Sequence, residues 1–200
     1  MKDKNKIKQL FLFDFDGCII DSIMPDEGKK IWEKEYNKKF PHVGWWSKPE
    51  SLDINIFNIK PFQSVLNILK KETNKSDTYV IILTSRLEKL RPYVQNVLDI
   101  NNIHVNRLDM KKNEKTKGNK ILDYVQKFPN LKEINTYDDM ESNIQSYKEI
   151  QDKIPKKIKF NIFLTNEGKI NQVNESKNNL LNIIHNEVQN FIKKIIFVFI

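Results

Sequence analysis

Two aspartates, Asp14 and Asp16, end an apolar run and are followed directly by Gly17 in the stretch QLFLFDFDGCIIDSI, residues 9 to 23. Side chains two apart in a strand share a face, so both carboxylates leave the end of a buried strand pointing the same way. Paired carboxylates repel each other. Presenting them at a strand terminus beside a glycine turn makes chemical sense chiefly where a cation or a phosphoryl group sits between them.

Further polar groups fall at equivalent places. TYVIILT, residues 78 to 84, is a second apolar run and ends on Thr84, and KEINTYDD, residues 132 to 139, runs into Asp138 and Asp139. Between these strands the pattern is helical. PFQSVLNILKKE places Phe62, Val65, Leu66 and Leu69 on one face behind a proline suited to a first turn. A helix is expected over residues 87 to 99, a short strand at 103 to 105, a helix from its cap Thr116 through Lys127, and another over 140 to 151. KIKFNIFLT then closes the sheet. Strands alternating with helices predict an α/β fold, a doubly wound, mostly parallel, Rossmann-like sheet. In such sheets ligands bind outside the carboxyl ends of the strands, near the point where strand order reverses. Three strands ending in Asp14 and Asp16, in Thr84, and in Asp138 and Asp139 therefore converge on one candidate site.

Residues 24 to 60 read as a small insertion after the first strand, a helix (EGKKIWEKEY) followed by the irregular KKFPHVGWWSKPESLDINIF. The expected division is one domain over residues 1 to 165 and a C-terminal segment over 166 to 200. In that segment NLLNIIHNEVQNFIKK forms an amphipathic helix and IIFVFI an apolar tail too short to span a bilayer.

Composition narrows the class. Hydrophobic residues make up 39% and charged residues 30% of the 200, values of a soluble globular chain. Cys18 stands alone, which excludes an internal disulfide or a cysteine-based zinc site; with no signal peptide at the lysine-rich start, a cytoplasmic location is expected. The formal charge of +8 would point to a polyanionic partner, but there is no alanine and only three arginines among many Lys, Asn and Ile. An AT-rich coding sequence produces that bias regardless of function, so much of the charge is a solvated lysine surface.

Taken together and in order, DFDG, ILTSR, a lysine heading a later helix and YDD resemble the four motifs of the haloacid dehalogenase (HAD) superfamily. GWWSKPESLD, ILTSRLEKLRPYVQNVL, TKGNKILDYV and INTYDDMESNI narrow the likeness to the HAD domain of Swiss Army Knife RNA repair proteins, over roughly residues 9 to 165. Three positions depart from that family's pattern. Cys18 stands for Thr or Val, Asn119 for an aromatic, and Met140 for an arginine that could contact phosphate.

The resemblance implies a phosphatase working through an aspartyl phosphate. Asp14 would be the nucleophile and Asp16 the general acid and base. Thr84 and Lys120 would hold the transferring phosphoryl oxygens, with Lys120 chosen on the T-x-x-x-K spacing and Lys117 in reserve. Mg²⁺ would be held by Asp14, the Asp16 carbonyl, and Asp138 or Asp139. Ser85 and Arg86 would face the substrate. Rival readings stand beside these. Thr84 and Ser85 could cap a helix, Arg86 could pair with Glu88 or Glu50, Asp139 could cap the following helix, and Trp45 and Trp46 could either stack on a base or pack the insertion. A small insertion leaves an open mouth. That fits phosphorylated polynucleotide ends as substrate, with a small nucleotide or other metabolite as the alternative, and a non-enzymatic HAD-like module as the remaining reading.

Overall fold

A computed structural model of the chain describes residues 2–112 and 115–173. Its centre is a six-stranded sheet in the order β3-β2-β1-β4-β5-β6. The strands are β1 (Gln9–Phe13), β2 (Thr78–Leu87), β3 (Arg107–Lys111), β4 (Glu133–Asp138), β5 (Lys159–Asn166) and β6 (Lys169–Gln172). The first five are mutually parallel and β6 pairs antiparallel with β5. The chain builds outward from β1 through β2 to β3, then returns to place β4 on the other side of β1. The strand order thus reverses between β1 and β4, the place where open parallel sheets form a ligand crevice.

Alternation along the buried strands divides the core into two layers. Phe11 and Phe13 of β1, with Val80 and Ile82 of β2, pack beneath α2 (Gln63–Thr73), α3 (Arg91–Ile100) and the insertion. Leu10 and Leu12, with Ile81, Leu83 and Ile134, pack beneath α4 (Lys117–Lys127) and α5 (Glu141–Lys148). Helices on both faces explain why these strands read as continuous apolar runs. On the first face Phe11, Phe13, Tyr137 and Phe163 form a stacked row across β1, β4 and β5.

The insertion is built on α1 (Pro25–Tyr36) and an aromatic cluster of Trp32, Phe40, Trp45 and Phe57. Trp45 is buried, and its indole N–H donates to the Ile23 carbonyl at 3.0 Å. A side chain in place of Gly28 would collide with that ring, so α1 and Trp45 approach as closely as glycine permits.

Several elements differ from expectation. The short strand lies at Arg107–Lys111 instead of 103 to 105, because Ile103 is spent as a buried plug closing α3 after Asn102 adopts a left-handed turn (φ 51°). β3 is an edge strand, and RLDMK carries no apolar run to announce it. Helix α3 starts at Arg91 because β2 continues to Leu87 and a short 3₁₀ turn intervenes. The segment after residue 165 begins as a hairpin: Asn166, Glu167, Gly168 and Lys169 turn with positive φ at Glu167 (48°) and Gly168 (77°), which leads into β6. The expected amphipathic helix and apolar tail, residues 179 to 200, lie outside the described residues. Among the described residues no helix is long and apolar enough to cross a membrane.

Candidate active site

Asp14 stands directly beyond β1, and its backbone N–H donates to the Tyr137 carbonyl of β4 at 2.8 Å, so the two strand ends are tied together. Asp138 is the last residue of β4. Between them lies Lys117, whose Nζ is 2.7 Å from Asp14 Oδ1 and 2.8 Å from Asp138 Oδ2. All three side chains are buried. Burial alone would lower the Lys117 ammonium, but the two carboxylates outweigh it and the net shift is upward. Burial pushes the Asp14 carboxyl up, and Lys117 pulls it part of the way back.

The two neighbouring acids of β4 differ in kind. Asp138 is fully engaged: Oδ2 accepts from Lys117 and from the Tyr147 hydroxyl at 2.7 Å, and Oδ1 accepts from the Met140 N–H at 3.1 Å and the Asn143 amide at 2.9 Å. Asp139 has a buried Oδ1 with no hydrogen-bond partner. A buried, unpartnered carboxylate oxygen costs about 1–3 kcal/mol or more unless something else satisfies it. Burial, then the adjacent Asp138, push the Asp139 carboxyl upward. Ligand oxygens of Asp14, Asp138 and Asp139 lie within 4.8 Å of one another. Such an all-oxygen set suits a hard divalent cation such as Mg²⁺, and the orphaned Asp139 oxygen is the observation that favours one there. Gly17, at φ 68°, completes the wall. A Cβ there would strike the Asp139 carboxylate, so the turn after β1 needs glycine twice over.

Asp16 faces elsewhere. Its Oδ1 accepts from Ser22 at 2.6 Å and from Arg86 Nη2 at 2.8 Å, and its Oδ2 accepts from Arg86 Nε at 2.8 Å. Arg86, only 3% exposed, also donates through Nη1 to the Trp46 carbonyl at 2.8 Å and to Ser51, and its guanidinium lies 5.0 Å from the Trp46 ring centroid. Its partner is therefore neither Glu88 nor Glu50. Arg86 ties the insertion to Asp16. Thr84 is buried near the end of β2, with its hydroxyl accepting from the Arg86 N–H at 3.1 Å, while Ser85 beside it is exposed. Cys18 is buried, donates weakly to the Tyr137 carbonyl at 3.4 Å, and has a thiol pushed well up by burial.

The lysine register expected from sequence differs from the geometry. Lys120 donates to Asp109 Oδ1 at 2.9 Å and to the Met110 carbonyl at 3.0 Å, bracing α4 against β3, and it is Lys117 that enters between the acids. Thr116 does cap α4, accepting from the Asn119 N–H at 3.2 Å. Helical side chains lean toward the N-terminus, so the first residue after the cap reaches furthest over the strand ends. Lys120, one turn on, is set back against β3. Gly118 sharpens the placement: a Cβ there would meet the Ser146 backbone carbonyl, so α4 lies against α5 at glycine distance. The sequence reading missed Tyr147 and Asn143, which hold Asp138. Asn143 and Tyr147 stand three and seven residues after Met140, one helical turn apart on the face of α5 toward β4, and that spacing was the available signal. It also missed Ser51 and the Trp46 carbonyl as partners of Arg86.

The chain matches the model of HAD domain family 1 in Swiss Army Knife RNA repair proteins over residues 28–196, a stretch that begins after Asp14 and Asp16. It is 24% identical over 173 residues to YMR265C, an uncharacterized protein of Saccharomyces cerevisiae, covering 72% of this chain and 37% of that one. The chain thus spans little more than a third of that relative's length. Among solved structures it is similar to the HAD domain of the effector protein Lem4 from Legionella pneumophila (inactive mutant), at 15% identity and a TM-score of 0.48, covering 90% of this chain and 94% of that one. It is also similar to a chain of the Pnkp1/Rnl/Hen1 complex, at 15% identity and a TM-score of 0.48, covering 82% and 47%.

Proposed function

The chain belongs to HAD domain family 1 of the Swiss Army Knife RNA repair proteins, and from that membership and the site's geometry we propose that it is a Mg²⁺-dependent phosphatase acting on phosphorylated polynucleotide ends. One observation carries the reading: Lys117 bridges Asp14 and Asp138 at the strand-order reversal, beside the unpartnered oxygen of Asp139. That arrangement offers a nucleophile, a fixed positive charge and a cation seat within one turn of the chain reversal.

In the proposed reaction an Asp14 oxygen attacks the substrate phosphorus, and the bond from phosphorus to the leaving oxygen breaks. Asp16 gives that oxygen a proton. Water then attacks the phosphorus of the aspartyl phosphate, Asp16 takes the water proton, and the Asp14 oxygen leaves to release inorganic phosphate. Because both Asp16 oxygens accept from Arg86, and Oδ1 also from Ser22, one of those donors has to yield an oxygen for the proton to be carried. Lys117 and Thr84 hold the phosphoryl oxygens as charge spreads over them. Asp14 and Asp139 would hold Mg²⁺, with Asp138 behind them positioning Lys117. The cation would offset the repulsion between the carboxylates and an anionic substrate. The family's occurrence in RNA repair proteins supports a polynucleotide end as substrate. A single buried Cys18 suits a reducing, cytoplasm-like compartment.

The test is hydrolysis of phosphorylated oligonucleotides by the purified chain with Mg²⁺ and with chelator, together with acid-stable trapping of phosphate on the protein. Metal-dependent turnover with label on Asp14 is expected. Turnover that survives Asp14→Asn would remove the mechanism.

A further inference from the structure

The crevice has two flanks of opposite charge. Toward β5 a cavity of about 440 Å³ is bounded by Asp21, Asp139, Glu141 and Glu167, with no lysine or arginine among the described residues of its wall. Toward β2 and β3 a cavity of about 240 Å³ begins at Thr84 and Lys117 and continues past Ser85 to Lys111, Lys115, Lys120 and Ser142, with no carboxylate among the described residues of its wall. A lone terminal phosphate would be met by Lys117 and Thr84 at the near end of this cavity. The second cavity extends the positive charge away from the reacting centre in one direction only, while the acids close the other.

We propose that the lysine-lined cavity is a subsite for a second phosphate of the substrate, the one next to the phosphate that is removed. The chemical class is a phosphodiester or phosphate monoester held a few ångströms from Asp14, and the occupant is the polynucleotide chain that carries the terminal phosphate. This rests on the phosphatase reading above for the position of the first phosphate. The lysines are positioned for the purpose by acids that lie outside the cavity: Lys120 is held by Asp109 at 2.9 Å and Lys115 is paired with Asp123. An ammonium carries three donors, and the bonds of Lys120 to Asp109 and to the Met110 carbonyl use two. Ser142 stands exposed in the first turn of α5, whose start has no side-chain cap, so the hydroxyl and the helix terminus both favour an anion. The acidic flank works in the same sense. A chain of phosphates entering on that side would meet Asp21, Glu141 and Glu167 beyond the Asp139 that the proposed cation engages, so the two flanks together fix the direction in which the substrate leaves the site.

The experiment compares kcat/KM for nucleoside 3′- and 5′-monophosphates, the 3′,5′-bisphosphate and the correspondingly phosphorylated dinucleotides, for the wild-type chain and for Ser142→Asp. That substitution sets a carboxylate on the cavity wall and suits a helix first turn, so folding is retained. The wild type is expected to prefer the second-phosphate substrates over the monophosphates, and to lose the preference as salt rises. Ser142→Asp should lower the preference ratio by about tenfold. A gain by the bisphosphate as well as the dinucleotide identifies phosphate charge as what is read; a gain by the dinucleotide alone identifies the diester-linked chain. Equal ratios in wild type and Ser142→Asp, or no preference in the wild type, overturn the subsite. Titration of the dinucleotides into Asp14→Asn, with and without Ser142→Asp, reads binding in the absence of turnover. If nothing is hydrolysed the phosphatase reading fails, and weaker binding caused by Ser142→Asp still decides the subsite on its own.

Discussion

Replacing Lys117 with methionine keeps the length of the side chain and removes the charge shared by Asp14 and Asp138. Both carboxylates are buried, and the ammonium sits 2.7 and 2.8 Å from them. Removing one partner from a buried ion pair costs about 3–5 kcal/mol, because the remaining charge is left uncompensated. The cost here falls toward the lower end. Asp138 keeps three other donors, and Asp14, whose carboxyl burial already pushes up, can escape by taking a proton. A loss of about 3 kcal/mol in a domain of this size lowers Tm by about 6–12 °C. The pH dependence follows from the direction of the shift. A carboxyl whose folded-state pKa is raised supports the folded state while protonated and loses that support as pH rises through the raised value. The Lys117→Met deficit, measured without metal by thermal melts in chelator, is therefore smaller at mildly acidic pH and larger at alkaline pH. On an activated aryl phosphate kcat should fall about 10²–10³-fold, the scale of one preorganised charge contact. Lys120→Met is the internal comparison. Its partner Asp109 retains the Tyr124 hydroxyl, so its loss of kcat should be at least tenfold smaller. If Lys120→Met is the more damaging substitution and Lys117→Met melts like wild type at every pH, the placement of Lys117 as the charge between the acids is refuted.

Three other perturbations test separate parts of the site. Asp139→Asn should leave the metal-free protein no less stable, since it removes a buried charge with an unpartnered oxygen, while abolishing the Tm gain on adding Mg²⁺; for the wild type that gain is about 2.7 kcal/mol at a hundredfold excess over Kd, and a variant that keeps it excludes Asp139 as a ligand. Arg86→Lys cannot reproduce the two-pronged bond to Asp16 together with those to Ser51 and the Trp46 carbonyl, so it should cost about 3 kcal/mol and speed proteolysis within residues 37 to 60; unchanged cleavage there would mean that the insertion is held by its aromatic cluster alone. Burial would raise the Asp109 carboxyl, but the Tyr124 hydroxyl, Lys120 and Arg107 together bring it below its ordinary value, so its pairing stabilises the fold at neutral pH and that support is lost as pH falls below about 4; the stability gap between wild type and Asp109→Asn should close over that window in urea titrations, and a gap that widens toward acid contradicts the pairing.

Much of the architecture was legible because the sheet is buried on both faces. The apolar runs 9 to 13 and 78 to 84 have no other structural use, and their polar terminators point to one edge. Asp14, Thr84 and the pair Asp138 and Asp139 could be brought to one end of the sheet from such runs. What sequence could not supply was set by contacts across the chain. Lys117 and Lys120 sit three residues apart behind the same cap, and their difference depends on where β3 passes, a strand that RLDMK does not announce. Asp138 and Asp139 are adjacent and chemically identical. They separate only because Tyr147 and Asn143 reach back from α5 to saturate one and leave the other an open oxygen. For Arg86 the sequence offered the neighbouring Glu88, whereas its acid, Asp16, lies seventy positions earlier.

That last contact also bears on how the site selects substrates. The insertion is closed on itself by Trp45 against Gly28 and tied to the rest of the chain by the Trp45 bond to the Ile23 carbonyl and by Arg86, which joins Trp46 and Ser51 to Asp16. A segment held by a buried guanidinium and a tryptophan core cannot swing as a lid without breaking several kcal/mol of contacts. Selection by closure over a small metabolite is then costly, and selection by charge along an open crevice is not. In the proposed phosphatase the asymmetry of the flanks, lysines beyond Lys117 and carboxylates beyond Asp139, would then be what discriminates between substrates.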